Sequence, residues 1–145
     1  MKTLIPSSTV VAEARGWVGT PFRHQGRARH GIDCIGLAIE VAKACGVLDG
    51  EYGFDAYPRT PQSGVMLAEL RRLCFPVGRA APGTLIVCQW HRDPQHVAIV
   101  ADGHHGPTLI HALQSAGKVV EHGYDAVWQR VTKHVFALPG VRYGQ

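Results

Sequence analysis

One cysteine of the chain stands where a helix is predicted to begin. Cys34 follows Asp33, a residue type that caps helix N-termini, and precedes an apolar segment that extends to Ala44. Unpaired backbone N–H groups and the helix dipole favour negative charge at such a position, so the pKa of the thiol is expected to fall. Residue 34 is therefore a candidate nucleophile that needs a base nearby.

Two histidines on neighbouring predicted strands could supply that base. His96 opens one strand, His111 lies inside the next, and a glycine-containing turn joins them. A turn centred between Gly103 and His104 places the two histidines directly opposite each other, whereas a centre one residue later makes them diagonal neighbours. In this pattern one imidazole could orient the other, as in a cysteine–histidine–polar triad. Two unrelated histidines are the alternative interpretation.

The elements that must position these residues come in two blocks. Apolar residues at helical spacing predict helices over 7–18, 33–44 and 65–74. After Pro82 the pattern changes to short alternating or continuous apolar runs, which predict strands over 84–88, 96–100, 108–112, 118–121 and 134–137. Helices followed by strands with brief turns indicate an α+β fold with an antiparallel sheet of five or six strands.

The composition is typical of one soluble domain over residues 1–145. With 46% hydrophobic and 18% charged residues the chain is not disordered, and no apolar stretch approaches the roughly 20 residues that span a bilayer. Pro6 interrupts the N-terminus before the apolar core of a signal peptide could form, so no secretory signal is expected. The net charge of +4 comes from scattered basic residues, which does not indicate a nucleic-acid partner.

Five motifs occur in a specific order around Cys34, His96 and His111. They are Ala14-Arg15-Gly16-Trp17-Val18-Gly19-Thr20-Pro21-Phe22-Arg23-His24-Gln25, Asp33-Cys34-Ile35-Gly36-Leu37, Pro82-Gly83-Thr84-Leu85, His96-Val97-Ala98-Ile99 and Ile110-His111-Ala112. This succession resembles the NlpC-type cell-wall peptidases over nearly the whole chain. The stretch from Thr20 to Gln25 and the late Trp128-Gln129-Arg130 and Phe136-Ala137-Leu138-Pro139-Gly140 resemble the branch encoded by phages and phage-like gene-transfer particles.

The resemblance implies a papain-like fold and a cysteine endopeptidase that needs no cofactor. Family members typically cleave peptidoglycan stem peptides, often between D-glutamyl and diaminopimelyl residues. By resemblance, Cys34 is the nucleophile, His96 the general base and His111 the orienting residue, and the expected substrate-side residues are Phe22, Arg23, His24 and Asp33. The implied partners are phage tail or gene-transfer-particle proteins, with synthesis in a host cytoplasm without a signal peptide and action on the periplasmic wall.

Departures from the family pattern leave a second interpretation open. The family usually has Tyr where Phe22 stands, a small Ser where Ile35 stands, and often an acidic residue after Pro-Gly, where this chain has Thr84 and Leu85. The missing tyrosine hydroxyl is compatible with a catalytically weak structural or wall-binding module of a tail tip. The basic loop before the nucleophile, with Arg27 and Arg29 as well, could meet stem carboxylates or simply be solvated.

A metal-dependent hydrolase is the third interpretation. Its candidate ligands are Cys34, Cys88, His91, His104 and His105, and Cys88-Gln89-Trp90-His91 has a tolerable ligand spacing. Histidines in turns are more often solvated, however, and the chain contains no HExxH motif and no paired CxxC. The cysteines other than Cys34 are expected to act as small buried apolar residues.

Overall fold

The computed structural model describes residues 3–55, 64–90 and 95–144. The helices in these ranges are α1 (Ser7–Arg15), α2 (Cys34–Ala44), α3 (Val65–Leu73) and α4 (Ala126–Val131). The strands are β1 (Ile5–Pro6), β2 (Arg27–Ala28), β3 (Gly31–Ile32), β4 (Phe75–Pro76), β5 (Leu85–Gln89), β6 (Gln95–Gly103), β7 (Gly106–Leu113), β8 (Lys118–Gly123), β9 (Thr132–Ala137) and β10 (Val141–Arg142). No helix of the described ranges is long and apolar enough to cross a membrane.

Six of the strands form one antiparallel sheet in the order β4-β9-β5-β6-β7-β8. The other four strands form two separate pairs, β1 with β10 in parallel and β2 with β3 in antiparallel orientation. The predicted α+β fold with helices before an antiparallel sheet is confirmed.

The two faces of this sheet have different partners. Along β6, Val97, Ile99 and Ala101 belong to the main core, which also contains the buried residues of α1 and α2. Ala98 and Val100 point to the opposite face and belong to a smaller apolar cluster there. The helix that begins with Cys34 therefore packs on one face, and the second face is left for other side chains.

The predicted elements are present with shifted ends. The first helix ends at Arg15 rather than residue 18, because the chain turns through Gly16 and Trp17 donates to the Ala14 carbonyl. All five predicted strands exist, and β6 and β7 are longer than predicted. The sequence pattern missed α4, since six residues are too few to display a helical period.

Candidate active site

Cys34 is the first residue of α2, and Asp33 caps the helix as predicted. The Asp33 carboxylate accepts hydrogen bonds from the backbone N–H groups of Gly36 and Gln25, both at 2.7 Å, and from Nη1 of Arg27 at 3.1 Å. Asp33 is buried, with 4% of its surface exposed. These bonds fix the start of α2, and the predicted contact of Asp33 with substrate gains no support from them.

The loop before Cys34 is tied to an edge of the main sheet. The N–H of Phe22 donates to the Gly117 carbonyl at 2.8 Å, and Pro21 bridges Lys118 at the start of β8. On its other side this segment meets Ile32, whose N–H donates to the Pro21 carbonyl at 2.9 Å. The sheet edge thus determines where the residues just before Cys34 lie.

Three of the predicted substrate-side residues share that loop. Phe22 is half-buried and packs against the main core, His24 is half-buried, and Arg23 is exposed. The backbone N–H of Arg23 donates to the Ile32 carbonyl at 3.0 Å, which holds the loop close to the residues that precede Cys34. Their contact with substrate stays a prediction.

Two other arginines of the basic loop bind groups of the chain itself. Arg27 donates from Nη2 to the Phe54 carbonyl at 2.7 Å, in addition to its bond with Asp33. The Arg29 guanidinium lies 3.6 Å from the ring centre of Trp17, and Arg29 also donates to a backbone carbonyl of the α1 end. The loop is therefore a folded structure rather than a simple solvated run of charge.

The sulfur of Cys34 has three backbone N–H groups in its surroundings, those of Cys34 itself, Ile35 and Val97. They lower the pKa of the thiol, as expected at a helix start. Burial outweighs them and raises that pKa to about 12, and the charge of Asp33 acts in the same direction. The prediction of a depressed pKa is wrong, because the loss of hydration destabilises the thiolate more than the helix terminus stabilises it.

His96 and His111 are hydrogen-bonded, with Nε2 of His96 2.6 Å from Nδ1 of His111. The β6–β7 hairpin pairs Gly103 with Gly106, so its centre lies one residue later than the position that would set the histidines directly opposite. The two side chains are diagonal neighbours on the same face of the sheet, the second of the two arrangements considered from the sequence. The diagonal offset still permits contact because imidazole rings are long.

A third histidine, which the sequence analysis did not select, continues this row. Nε2 of His122 lies 2.8 Å from Nε2 of His111, and Nδ1 of His122 lies 2.9 Å from the Gly123 carbonyl oxygen. His122 pairs with Leu109, which makes it the diagonal neighbour of His111 across β7 and β8. Strand alternation could have placed His111 and His122 on one face, had the β7–β8 register been known.

Trp128 of α4 covers the three histidines. Its ring centre lies 6.4 Å from that of His96, 4.9 Å from that of His111 and 5.1 Å from that of His122. Trp90 packs against both Trp128 and His96. His111 is 0% exposed and His96 is 9% exposed, so these two histidines are shielded from water, whereas His122 is half-buried.

Burial keeps the first two histidines uncharged at neutral pH. It lowers the pKa of His96 to about 4, with a smaller effect from His122. It lowers the pKa of His111 to about 2, and the neighbouring His96 and His122 act in the same direction. A neutral imidazole at His96 can accept a proton, which is the property that a general base needs.

The structure does not bring the candidate metal ligands together. Cys88 is buried opposite His96, whereas His104 and His105 are exposed in the β6–β7 turn at the other end of β6, seven residues or about 23 Å away. His91 lies outside the described residues. Within the described ranges, no group of three or more His, Cys, Asp or Glu residues could hold a metal ion.

Comparison with known proteins identifies the family to which the chain belongs. Solved structures that share the fold include the NlpC/p60 domain of the peptidoglycan hydrolase SagA, with 22% sequence identity and a TM-score of 0.59 over 92% of this chain and 100% of that one. An NlpC/P60 family protein from Bacillus cereus ATCC 10987 has 19% identity and a TM-score of 0.65 over 97% of this chain and 41% of that one. An N-acetylmuramoyl-L-alanine amidase from Bacteroides uniformis ATCC 8492 has 12% identity and a TM-score of 0.61 over 91% of this chain and 98% of that one. No curated protein matches the sequence. The NlpC/P60 family model matches residues 19–137, a range that contains Cys34 and all three histidines of the row. The chain belongs to the NlpC/P60 family of peptidoglycan hydrolases, which have a papain-like fold.

Proposed function

We propose that this chain is a cysteine endopeptidase that hydrolyses amide bonds in peptidoglycan stem peptides. One observation carries the proposal: Cys34 starts a buried helix, its sulfur is near the Val97 N–H, and the next residue back along β6 is a buried, neutral histidine. A thiol beside the Val97 N–H and a neutral imidazole on the residue before Val97 supply the two groups that nucleophilic amide hydrolysis requires.

The reaction would proceed in two steps. His96 takes the Cys34 proton as the sulfur attacks the amide carbon, and backbone N–H groups at the start of α2 stabilise the negative oxygen. The C–N bond breaks, and His96 gives its proton to the leaving amine. Water then gives a proton to His96 and attacks the thioester carbon, which releases the carboxylate product and restores the thiol. His111 holds the ring of His96 throughout.

The bond between D-glutamyl and diaminopimelyl residues is the substrate that we favour. Stem peptides carry free carboxylates at these residues, and Arg23 offers an exposed cation on the loop that leads to Cys34. Phe22 and His24 flank that arginine and could line the path of the peptide.

Digestion of purified diaminopimelate-type sacculi tests both the activity and the bond. Wild-type protein should release fragments with a new amino terminus on diaminopimelate, identified by mass spectrometry of the soluble products. Cys34→Ala, which keeps a small residue at the helix start, should release none while its melting temperature stays close to the wild-type value. Fragments cut at another bond would refute the specificity alone. Cysteine-independent release, or none from the wild type, would favour the metal-dependent or the structural alternative.

We also propose that the protein works in the tail of a phage or phage-like particle, is made in a host cytoplasm and acts on the periplasmic wall. The support is the resemblance of the stretch from Thr20 to Gln25 and of the segment after Trp128 to that branch. Particles purified from a producing strain should contain the chain in fixed stoichiometry with tail proteins. Its absence from washed particles would contradict this assignment without affecting the enzymatic one.

A further inference from the structure

The row of three imidazoles ends on a backbone carbonyl. Nδ1 of His122 lies 2.9 Å from the Gly123 oxygen, and a carbonyl oxygen can only accept a hydrogen bond. Nδ1 of His122 therefore carries a hydrogen. In the neutral ring, Nε2 of His122 is then an acceptor, because a neutral imidazole has one N–H and one lone pair.

This end point sets the direction of every bond in the row. Nε2 of His111, at 2.8 Å from the His122 acceptor, must be the donor. His111 is neutral, so its Nδ1 has a lone pair and accepts from Nε2–H of His96 at 2.6 Å. His96 is left with one unprotonated nitrogen, Nδ1.

We propose that His122 is a positioning residue that holds His96 in its Nε2–H tautomer, so that Nδ1 is the atom that receives the Cys34 proton. The inference rests on the proposed hydrolase function and identifies a residue beyond the cysteine and two histidines. Nδ1 is the ring nitrogen nearer the main chain, and the adjoining main-chain N–H of Val97 lies near the Cys34 sulfur. When His96 becomes an imidazolium, its bond to His111 is unchanged, so no proton has to move along the row.

Burial makes the His122 acceptor important. His111 is 0% exposed and Trp128 packs against it, so water is kept from its Nε2–H as long as an aromatic ring fills position 122. An unpaired buried N–H is costly, which favours the other tautomer of His111. That tautomer donates from Nδ1 toward His96 and places a hydrogen on Nδ1 of His96, where it blocks proton transfer from the thiol.

Two substitutions at this position separate hydrogen bonding from packing. His122→Gln loses the ring but keeps an amide oxygen that can accept from Nε2–H of His111. His122→Phe keeps an aromatic ring for contact with Trp128 and His111 but has no acceptor. A role in packing alone predicts that the Phe variant is the better enzyme, whereas the proposal predicts that the Gln variant is.

The experiment combines steady-state kinetics on a stem tetrapeptide with ¹⁵N NMR of the imidazole nitrogens. We expect His122→Phe to lower kcat about tenfold or more with KM within about twofold, as for orienting partners of other functional histidines, and His122→Gln to retain most of kcat. In wild-type protein, His96 should show a protonated Nε2 and an unprotonated Nδ1, and His122→Phe should reverse that assignment.

Two results would overturn the proposal: a protonated Nδ1 on His96 in the wild type, or a His122→Phe variant as active as the wild type. The NMR assignment does not depend on turnover, so it still tests the tautomer if the peptidase function fails. A wild type that shows the expected tautomer but hydrolyses no peptide would refute the proposed function alone.

Discussion

Cys34 and His96 are both uncharged in the resting protein at neutral pH. The pKa of the thiol is raised to about 12 and that of the imidazole lowered to about 4, in each case chiefly by burial. Low polarity around the pair disfavours the thiolate–imidazolium form, because separating charge there is expensive. The nucleophile would therefore form when the substrate is bound, by direct transfer of the proton to His96.

A neutral pair predicts how Cys34 reacts with iodoacetamide. Only the thiolate reacts, so the alkylation rate of Cys34 should rise about tenfold per pH unit between pH 5 and pH 9 without a plateau. Peptide mass spectrometry after timed labelling gives the rate, and His96→Gln is the control, expected to have the same slope. A plateau between pH 5 and pH 7 that disappears in His96→Gln would instead reveal an ion pair.

Arg23 should affect substrate binding more than the chemical step. Because it is exposed on the loop beside Ile32, Arg23→Gln should raise KM for a stem tetrapeptide several-fold and leave kcat within about twofold. Arg142→Gln removes another exposed arginine, on β10, and should change neither constant. Equal KM values for the two variants would remove Arg23 from the binding site.

At the scale of elements, the first turn of α2 is held against Gly26, the residue just before β2, by close backbone contact. Gly36 lies so near Gly26 that a side-chain carbon added at Gly36 would overlap the Gly26 carbonyl oxygen and crowd Arg27 and Ile32. Asp33 binds both sides of this contact through Gly36 and Gln25. The position of Cys34 therefore depends on the absence of a side chain at residue 36.

Gly36→Ala should damage both stability and activity. Overpacking of this kind costs about 1–3 kcal/mol of unfolding free energy, and a displaced helix start should lower kcat as well. Gly16→Ala at the end of α1 is the matched control, because its added carbon would come no closer than 3.4 Å to any atom beyond its chain neighbours and its φ of −64° suits alanine. Urea denaturation and peptide turnover measure the two effects. Equal stability of both glycine variants would contradict the close contact.

Local patterns were sufficient to predict α2, its cap and the succession of the main strands along the chain. They could not predict the row of histidines, because contact between His111 and His122 depends on the β7–β8 register, which the connection through the 3₁₀ turn Gln114–Ala116 determines. They also gave the wrong direction for the pKa of Cys34. A helix start is visible in the sequence, whereas the burial that opposes it arises from packing of distant segments.

At the scale of the whole molecule, the main sheet has the Cys34 helix on one face and the histidine row on the other. Its helix face carries the main core and the helix that begins with Cys34, and its opposite face carries the histidine row under Trp128. The proposed nucleophile and base can approach each other because His96 lies near the start of β6, where the Val97 N–H reaches the Cys34 sulfur. The folded protein therefore contains two buried, neutral histidines, and their lowered pKa values make its unfolding free energy depend on pH.

Stability should therefore decrease as the pH falls from about 6.5 to about 5. In the unfolded chain His96 and His111 titrate near pH 6.5, but in the folded protein their pKa values are about 4 and about 2, so below pH 6.5 the unfolded state binds more protons. Each histidine contributes a slope of at most about 1.4 kcal/mol per pH unit. The lowered pKa values of Glu69 and Glu121 act below this window, because these groups start to bind protons in the unfolded chain only near pH 4.5. Urea denaturation at pH 7, 6 and 5 measures the slope, which His96→Gln should reduce because it removes one of the histidines whose pKa is lowered in the folded protein. An unfolding free energy that is constant from pH 7 to pH 5 would mean that the two histidines are not held neutral by burial.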